Sequence, residues 1–295
     1  MRELSGICPV LPVPFLPDCE IDFASLDRIA GFALESGATG LAILGLASEC
    51  WKLTERERDC LIRAMVRRAG PVPVVAGVSA ESCQAAAYQA RQAAAAGASI
   101  LMATPPLCFR LGDHAILDYY RAISEACGLP IMLQDTSSVG VNQMSVPLLA
   151  QLAEEVPRVQ YAKVETAPAG PKITALQQRT RLALFSGNGA LNILDALERG
   201  VSGVMPGVDL VDRMVRIWRF FRKGRPELAA AEHRRILPLL ALECQSTETF
   251  VALTKRVLYL RRLVATPLVR PPASYVVDEI AATQIAALTD ELEQE

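Results

Sequence analysis

Lysine and histidine are scarce in this chain, and each scarcity narrows what the protein can do. Two histidines, His114 and His233, lie far apart in polar helical stretches, so a histidine-rich metal centre is excluded and no cofactor is implied. The eight cysteines contain no C-x-x-C pair, which argues against a zinc site or disulfide framework and for reduced thiols in a cytoplasmic enzyme. A net charge of −2 and a pI near 5.9 leave no basic surface for nucleic acid or an anionic membrane. No uninterrupted apolar run is long enough to span a bilayer. Met1–Gly6 passes straight into a strand-like segment, so no signal peptide is expected. Finally, five lysines stand against 25 arginines, and four of them (Lys52, Lys172, Lys223, Lys255) fall in segments that read as loops or helix surfaces. The fifth, Lys163, does not.

Present in abundance are apolar residues, 51% of the chain, in short runs that alternate with amphipathic helical patterns. Strands are predicted at 7–13, 40–45, 72–78, 99–104, 130–134, 159–165, 182–186 and 201–205. Helices are predicted at 22–36, 54–69, 80–96, 113–127, 145–155, 171–179 and 189–199. Gly37, Gly70, Gly97, Gly128 and Gly200 sit where helix C-caps belong, and Thr54–Glu57 forms a capping box. Eight β-α steps predict an α/β fold, a (β/α)8 TIM barrel, since the G-x-G-x-x-G turn of an open dinucleotide-binding sheet is missing after the first strand. Beyond residue 208 the alternation stops and 209–223, 226–243, 246–263 and 274–293 all read as helical. The expected division is a barrel at 1–223 and a C-terminal helical extension at 224–295, packed on its own barrel or on another subunit.

Lys163 lies near the end of the buried run Val159–Glu165. A lysine inside a sheet loses hydration, which disfavours its charged form, and a neutral amine is what Schiff-base chemistry on a carbonyl needs. Side chains alternate along a strand, so Tyr161, Lys163 and Glu165 share one side, with the amine and carboxylate at the barrel mouth. A structural ion pair is the competing reading. Gly45-Leu46-Ala47-Ser48-Glu49 after strand two offers backbone N–H groups, a hydroxyl and a carboxylate. Ser186-Gly187-Asn188-Gly189 after strand seven lets bare backbone approach an anion, or is simply a tight turn. Gln134-Asp135 ends strand five and could be a turn element.

The order of these motifs resembles the dihydrodipicolinate synthase and N-acetylneuraminate lyase family over nearly the whole chain. The resemblance is carried by Pro9–Phe15, Asp18–Asp22, Gly45–Glu49, Leu53–Arg58, Thr104-Pro105-Pro106, Lys163 and Gly203-Val204-Met205. It implies a homotetrameric barrel without a metal that binds a small 2-oxo acid as an imine on Lys163. It also implies a substrate carboxylate near Ala47 and Ser48, with Glu49, Gln134, Gly187 and Met205 among the substrate-binding positions.

Departures from the family pattern are informative. The catalytic tyrosine of a Y-N-x-P pattern is replaced in Leu133-Gln134-Asp135-Thr136-Ser137, and G-T-T-G-E has become Gly45-Leu46-Ala47-Ser48-Glu49. The tyrosine after strand four that a neighbouring subunit contributes is missing from Thr104–Cys108. Ser138-Val139-Gly140 supplies no arginine, and Gly189-Ala190 supplies no acid after strand seven. These losses count against both namesake activities. Ser48-Glu49, Gln134-Asp135 and Lys163-Val164-Glu165 instead resemble the L-2-keto-3-deoxyarabonate dehydratases, although Leu46-Ala47 and Cys50-Trp51 differ from that branch. The expected function is therefore dehydration of a 2-keto-3-deoxy sugar acid, with Lys163 as Schiff-base residue and Glu165 as proton shuttle. An aldolase or dihydrodipicolinate synthase-like enzyme of the same family is one alternative. A non-catalytic 2-oxo-acid-binding barrel is the other.

Overall fold

The computed structural model describes residues 3–294. Eight parallel strands follow one another in the order β1-β8-β7-β6-β5-β4-β3-β2. They are β1 (Gly6–Ile7), β2 (Leu41–Ile43), β3 (Val74–Gly77), β4 (Ile100–Ala103), β5 (Ile131–Thr136), β6 (Val159–Glu165), β7 (Ala183–Ser186) and β8 (Gly203–Val204). Val10 bridges to Ala42 on one side and Gly207 on the other, which closes the sheet into the expected (β/α)8 barrel.

Between the strands run α1 (Phe23–Ser36), α2 (Glu55–Ala69), α3 (Cys83–Ala95), α4 (Asp113–Ala126), α5 (Val146–Glu155), α6 (Ala169–Arg179) and α7 (Ile193–Glu198). Four helices follow: α8 (Val211–Arg222), α9 (Pro226–Glu243), α10 (Thr247–Leu260) and α11 (Glu279–Glu293). Local chemistry sets many of these ends. Asp22 accepts from Ser25 N at 2.9 Å to start α1, and Thr54 and Glu57 close the predicted capping box of α2. Gly37 ends α1 in the left-handed conformation.

Some boundaries differ from expectation for identifiable reasons. Helix α4 ends at Cys127 in extended backbone, so Gly128 is not a left-handed cap. Strand β5 runs on to Thr136, because Asp135 and Thr136 pair with Val164 and Glu165 of β6. Helix α7 starts late, since Asn188, Gly189 and Ala190 all take positive φ in a short 3-10 turn before it. Helix α11 begins at 279 rather than 274, where Asp278 supplies the capping carboxylate and accepts from Ala281 N at 2.8 Å.

Two apolar layers hold the barrel. Inward side chains, among them Val10, Val75, Met102, Met132, Tyr161 and Phe185, fill the lumen. Outward ones pack against the helices. The Tyr161 and Phe185 rings meet edge to face with centroids 6.2 Å apart, Tyr161 two residues before Lys163 on β6 and Phe185 beside Lys163 on β7.

The extension packs on its own barrel. Helix α9 lies along α8, where Arg213 donates to Glu232 at 3.1 Å and to the Leu292 carbonyl of α11. Between α10 and α11 the chain crosses the first two loops at the barrel mouth. Thr266 donates to the Phe15 carbonyl at 2.8 Å, and Arg270 holds the Cys19 carbonyl and Glu57, both at 2.6 Å. Lys255, expected on a helix surface, is 1% exposed and grips Glu49 and the Leu268 carbonyl from the buried face of α10. Burial, only partly offset by Glu49, pushes its ammonium down to about 8.

Candidate functional site

Strand β6 brings Lys163 to the C-terminal mouth of the barrel. Its neighbours across the sheet are Gln134 of β5 and Phe185 of β7, all facing inward. The side chain is almost fully enclosed, and its Nζ lies 3.1 Å from Glu165 Oε1. Two residues on, alternation returns Glu165 to the same side, so a strand spacing alone produces the pair. The amine is thus an ion-pair partner as well as a buried lysine.

Glu165 is held from three directions. The Gln134 amide donates to Oε2 at 2.8 Å, the Asn188 backbone N–H donates to Oε1 at 2.9 Å, and Lys163 completes the set. Gly187 leaves room for this: a Cβ there would lie 2.5 Å from Glu165 Cγ, inside any tolerable contact. A carboxylate pinned by fixed donors, with one oxygen against an amine, is preorganised to pass a proton over a short distance.

A cavity of about 210 Å³ opens beside the pair. That is smaller than the roughly 300–1,000 Å³ of sites for drug-sized ligands, and suits a small acid. Ala47, Gln134, Lys163, Glu165 and Met205 line its barrel side. Cys244, Gln245, Ser246, Thr247 and Phe250, from the turn between α9 and α10 and the start of α10, line the other.

Not every expected residue faces this cavity. Ser48 is fully buried and donates its hydroxyl to the Leu11 carbonyl at 2.6 Å, so it braces the β2 turn against strand one. Glu49 is 0% exposed, with its carboxylate closed between Lys52 at 2.8 Å and Lys255. It borders an adjoining cavity, not that of Lys163, because its left-handed backbone at φ 53° turns it away. Ser48 and Glu49, both expected at the substrate, thus make protein contacts and do not line the Lys163 cavity. Gly187 does not line the cavity, and its missing Cβ leaves the space that the Glu165 carboxylate occupies. Asp135 turns out to be a structural knot: it accepts from Met144 N at 3.1 Å, Thr166 Oγ1 at 3.0 Å and Lys172 at 2.5 Å, tying β5 to its following loop and α6.

The Ser186–Gly189 turn does present bare backbone to an anion, through the Asn188 N–H, but that anion is the Glu165 carboxylate. Sequence reasoning missed the wall from the extension, which meets the barrel only after folding. Other nucleophiles are unsuited to the site. Burial pushes the Cys8 thiol up to about 12, and raises Cys244 as well, so neither offers a thiolate. Among the described residues, no group of three or more His, Cys, Asp or Glu is arranged to hold a metal ion.

The fold is a (β/α)8 barrel with Lys163 and Glu165 at the C-terminal end of β6, and the family it belongs to makes it a lyase. The chain belongs to the dihydrodipicolinate synthetase family, whose sequence profile it matches over residues 3–291. It is 36% identical over 242 residues to an L-2-keto-3-deoxyarabonate dehydratase of Azospirillum brasilense, covering 80% of this chain and 78% of that one. It is 27% identical to a 4-hydroxy-tetrahydrodipicolinate synthase of Halalkalibacterium halodurans, over 81% and 82% of the two chains. Among solved structures it is similar to a dihydrodipicolinate synthase of Rhodopseudomonas palustris, with a TM-score of 0.90, 30% identity and 97% of each chain covered. The Thermotoga maritima dihydrodipicolinate synthase shares the fold at a TM-score of 0.92 and 22% identity, with 100% of each chain covered.

Proposed function

We infer that the protein is a hydro-lyase that forms a Schiff base between Lys163 and the C2 carbonyl of a 2-keto-3-deoxy sugar acid, and then eliminates water. The observation that carries this reading is the enclosed Lys163–Glu165 contact of 3.1 Å, with the carboxylate fixed by Gln134 and Asn188 N–H. Similarity to an L-2-keto-3-deoxyarabonate dehydratase supports the choice of substrate class.

Glu165 takes a proton from the Lys163 ammonium and frees the amine, which attacks C2. Glu165 returns that proton to the carbinolamine hydroxyl, which leaves as water to give the iminium, and Glu165 is a carboxylate again. The iminium acidifies C3, Glu165 removes a C3 proton, and the electron pair forms the enamine. Glu165, now protonated, gives its proton to the C4 hydroxyl, the C4–O bond breaks and water leaves. Hydrolysis returns the lysine and releases the dehydrated 2-oxo acid. The substrate carboxylate lies against the Ala47 turn, with Met205 beside the carbon chain. Retro-aldol cleavage would need a base on the C4 hydroxyl, and the run Leu133–Ser137 at the end of strand five holds no tyrosine to serve as one. Assembly as a cytoplasmic homotetramer belongs to the same reading, and light scattering tests the tetramer.

Borohydride reduction in the presence of pyruvate tests imine formation: a mass gain mapped to Lys163 is expected, and an unmodified lysine refutes it. Incubation with 2-keto-3-deoxy pentonates then separates the reactions. Dehydration keeps the five carbons together, whereas release of pyruvate would establish an aldolase instead.

A further inference from the structure

Behind the cavity wall lie two acidic side chains that the reaction above does not use. Asp209, between β8 and α8, and Glu243, the last residue of α9, are each 1% exposed. Asp209 Oδ2 and Glu243 Oε1 are buried with no hydrogen-bond donor among the described residues, and the two side chains lie within reach of each other.

The charged groups around them are committed elsewhere. Arg261, at the end of α10, spends its guanidinium on Asp212 of α8 at 2.9 and 3.1 Å, on Glu293 of α11 at 2.7 Å and on the Asp209 backbone carbonyl. Glu232 of α9 is taken by Arg213. His233 of α9 faces the Leu191 carbonyl. The Cys244 thiol donates to the Asn188 carbonyl at 3.6 Å. With Arg261 already shared by Asp212 and Glu293, its charge offsets only part of the cost of ionising Asp209 and Glu243 together in a buried space, and one proton between them satisfies both. Burial accordingly pushes both carboxyls up.

The pair joins the two walls of the cavity. Asp209 follows Pro206 and Gly207 of the barrel side, and Pro206 lines the cavity. Gly207 carries no Cβ, which would strike Asp209 Oδ1 and come within 3.1 Å of Phe250 on the other wall. Glu243 begins the opposing turn, and its carbonyl accepts from Thr249 Oγ1 at 3.0 Å, within the cap that starts α10. We propose that Asp209 and Glu243 share a single proton at neutral pH, and that this bond positions the α9–α10 turn, with Cys244 and Phe250, as a wall of the Lys163 cavity. Both are positioning residues. Their effect on turnover rests on the Schiff-base reading, but the shared proton does not.

Infrared spectroscopy of the whole protein reads that proton. The wild type should show a protonated-carboxyl C=O band at pH 7.5, shifted in D2O. Glu243→Gln should lose it, and Asp209→Asn, the second variant should the first fail to fold, should displace it. Hydrogen exchange of the amides at 244–250 reads the wall. Corrected for intrinsic rate, protection in the wild type should fall about tenfold as rising pH removes the shared proton, and stay flat in Glu243→Gln, whose amide donates at any pH. Half-saturation by pyruvate in borohydride trapping should rise over the same pH range in the wild type only. A wild type with no such band, or a Glu243→Gln protein with the same alkaline loss of protection, overturns the proposal. If Lys163 traps pyruvate in no variant, the assigned reaction is wrong, whereas the band and the exchange still decide the pair.

Discussion

Replacing Glu165 by glutamine removes the proton shuttle with the least disturbance of its surroundings. Glu165 Oε1 receives Lys163 and the Asn188 N–H, and Oε2 receives the Gln134 amide. A glutamine can keep its carbonyl oxygen in the Oε1 position, where both donors still find an acceptor. Its new NH2 then meets Gln134, which can turn its own amide over and present oxygen. The lost charge weakens charge-assisted bonds, each worth about 1.5–3 kcal/mol, so stability should fall by about 1–3 kcal/mol without loss of fold. Turnover suffers more. A general acid-base group contributes roughly 10²–10⁴-fold, or about 3–5 kcal/mol of barrier. Two assays separate the effects: borohydride trapping of pyruvate on Lys163 reports the imine, and steady-state release of dehydrated product reports elimination. Trapping should persist at saturating pyruvate while turnover drops by two to four orders of magnitude. Turnover within about threefold of wild type would refute the assignment, and the proton carrier would then lie outside the Gln134–Asn188 cradle.

Further outcomes follow from the same contacts. Gly187→Ala should lower kcat about tenfold or more while costing about 1–3 kcal/mol in urea unfolding, because the new methyl displaces the Glu165 carboxylate; an unchanged kcat would show that its placement is not critical. Lys255→Met leaves Glu49 with Lys52 alone in a buried site and should destabilise the fold by about 3 kcal/mol. Because burial holds Lys255 at about 8, below its ordinary 10.5, the unfolded chain binds more protons between those values. The wild type should therefore gain stability relative to Lys255→Met as pH rises through that window, and a constant gap would count against it. Asp209 is shifted the other way, up to about 6 from 3.8, so its contribution is present below 3.8 and lost as pH rises through 6. Asp209→Asn should accordingly become the more stable protein by about 1–3 kcal/mol near pH 8, with no such advantage at pH 4, as read by urea denaturation.

Much of the barrel was legible along the chain because it is encoded locally. Alternating apolar runs gave the strand positions, and Thr54–Glu57 marked the start of α2. Lys163 and Glu165 could be put on one side of β6 because a strand has a period of two, and the amine-to-carboxylate contact follows from that spacing. Asp135 and Glu49 show the limit. Each is a polar residue at the end of a strand, a fair candidate for a site, yet Asp135 is consumed by Lys172 and Thr166, and Glu49 by Lys52 and Lys255. Lys255 lies 206 residues from Glu49, and nothing near either residue announces the other.

What the amino-acid order determined by itself is the repeating β-α framework and a lysine beside a carboxylate at one strand's end, since periodicity and capping act over a few neighbours. Tertiary structure alone decided which polar groups remain open to a substrate. Whether a buried carboxylate faces a cavity or a counter-ion depends on partners that arrive from distant segments, as Lys255 does for Glu49 and as Glu243 does for Asp209. The extension that reads as an appendage became one wall of the cavity for the same reason, because only folding brings Cys244–Phe250 over the barrel mouth.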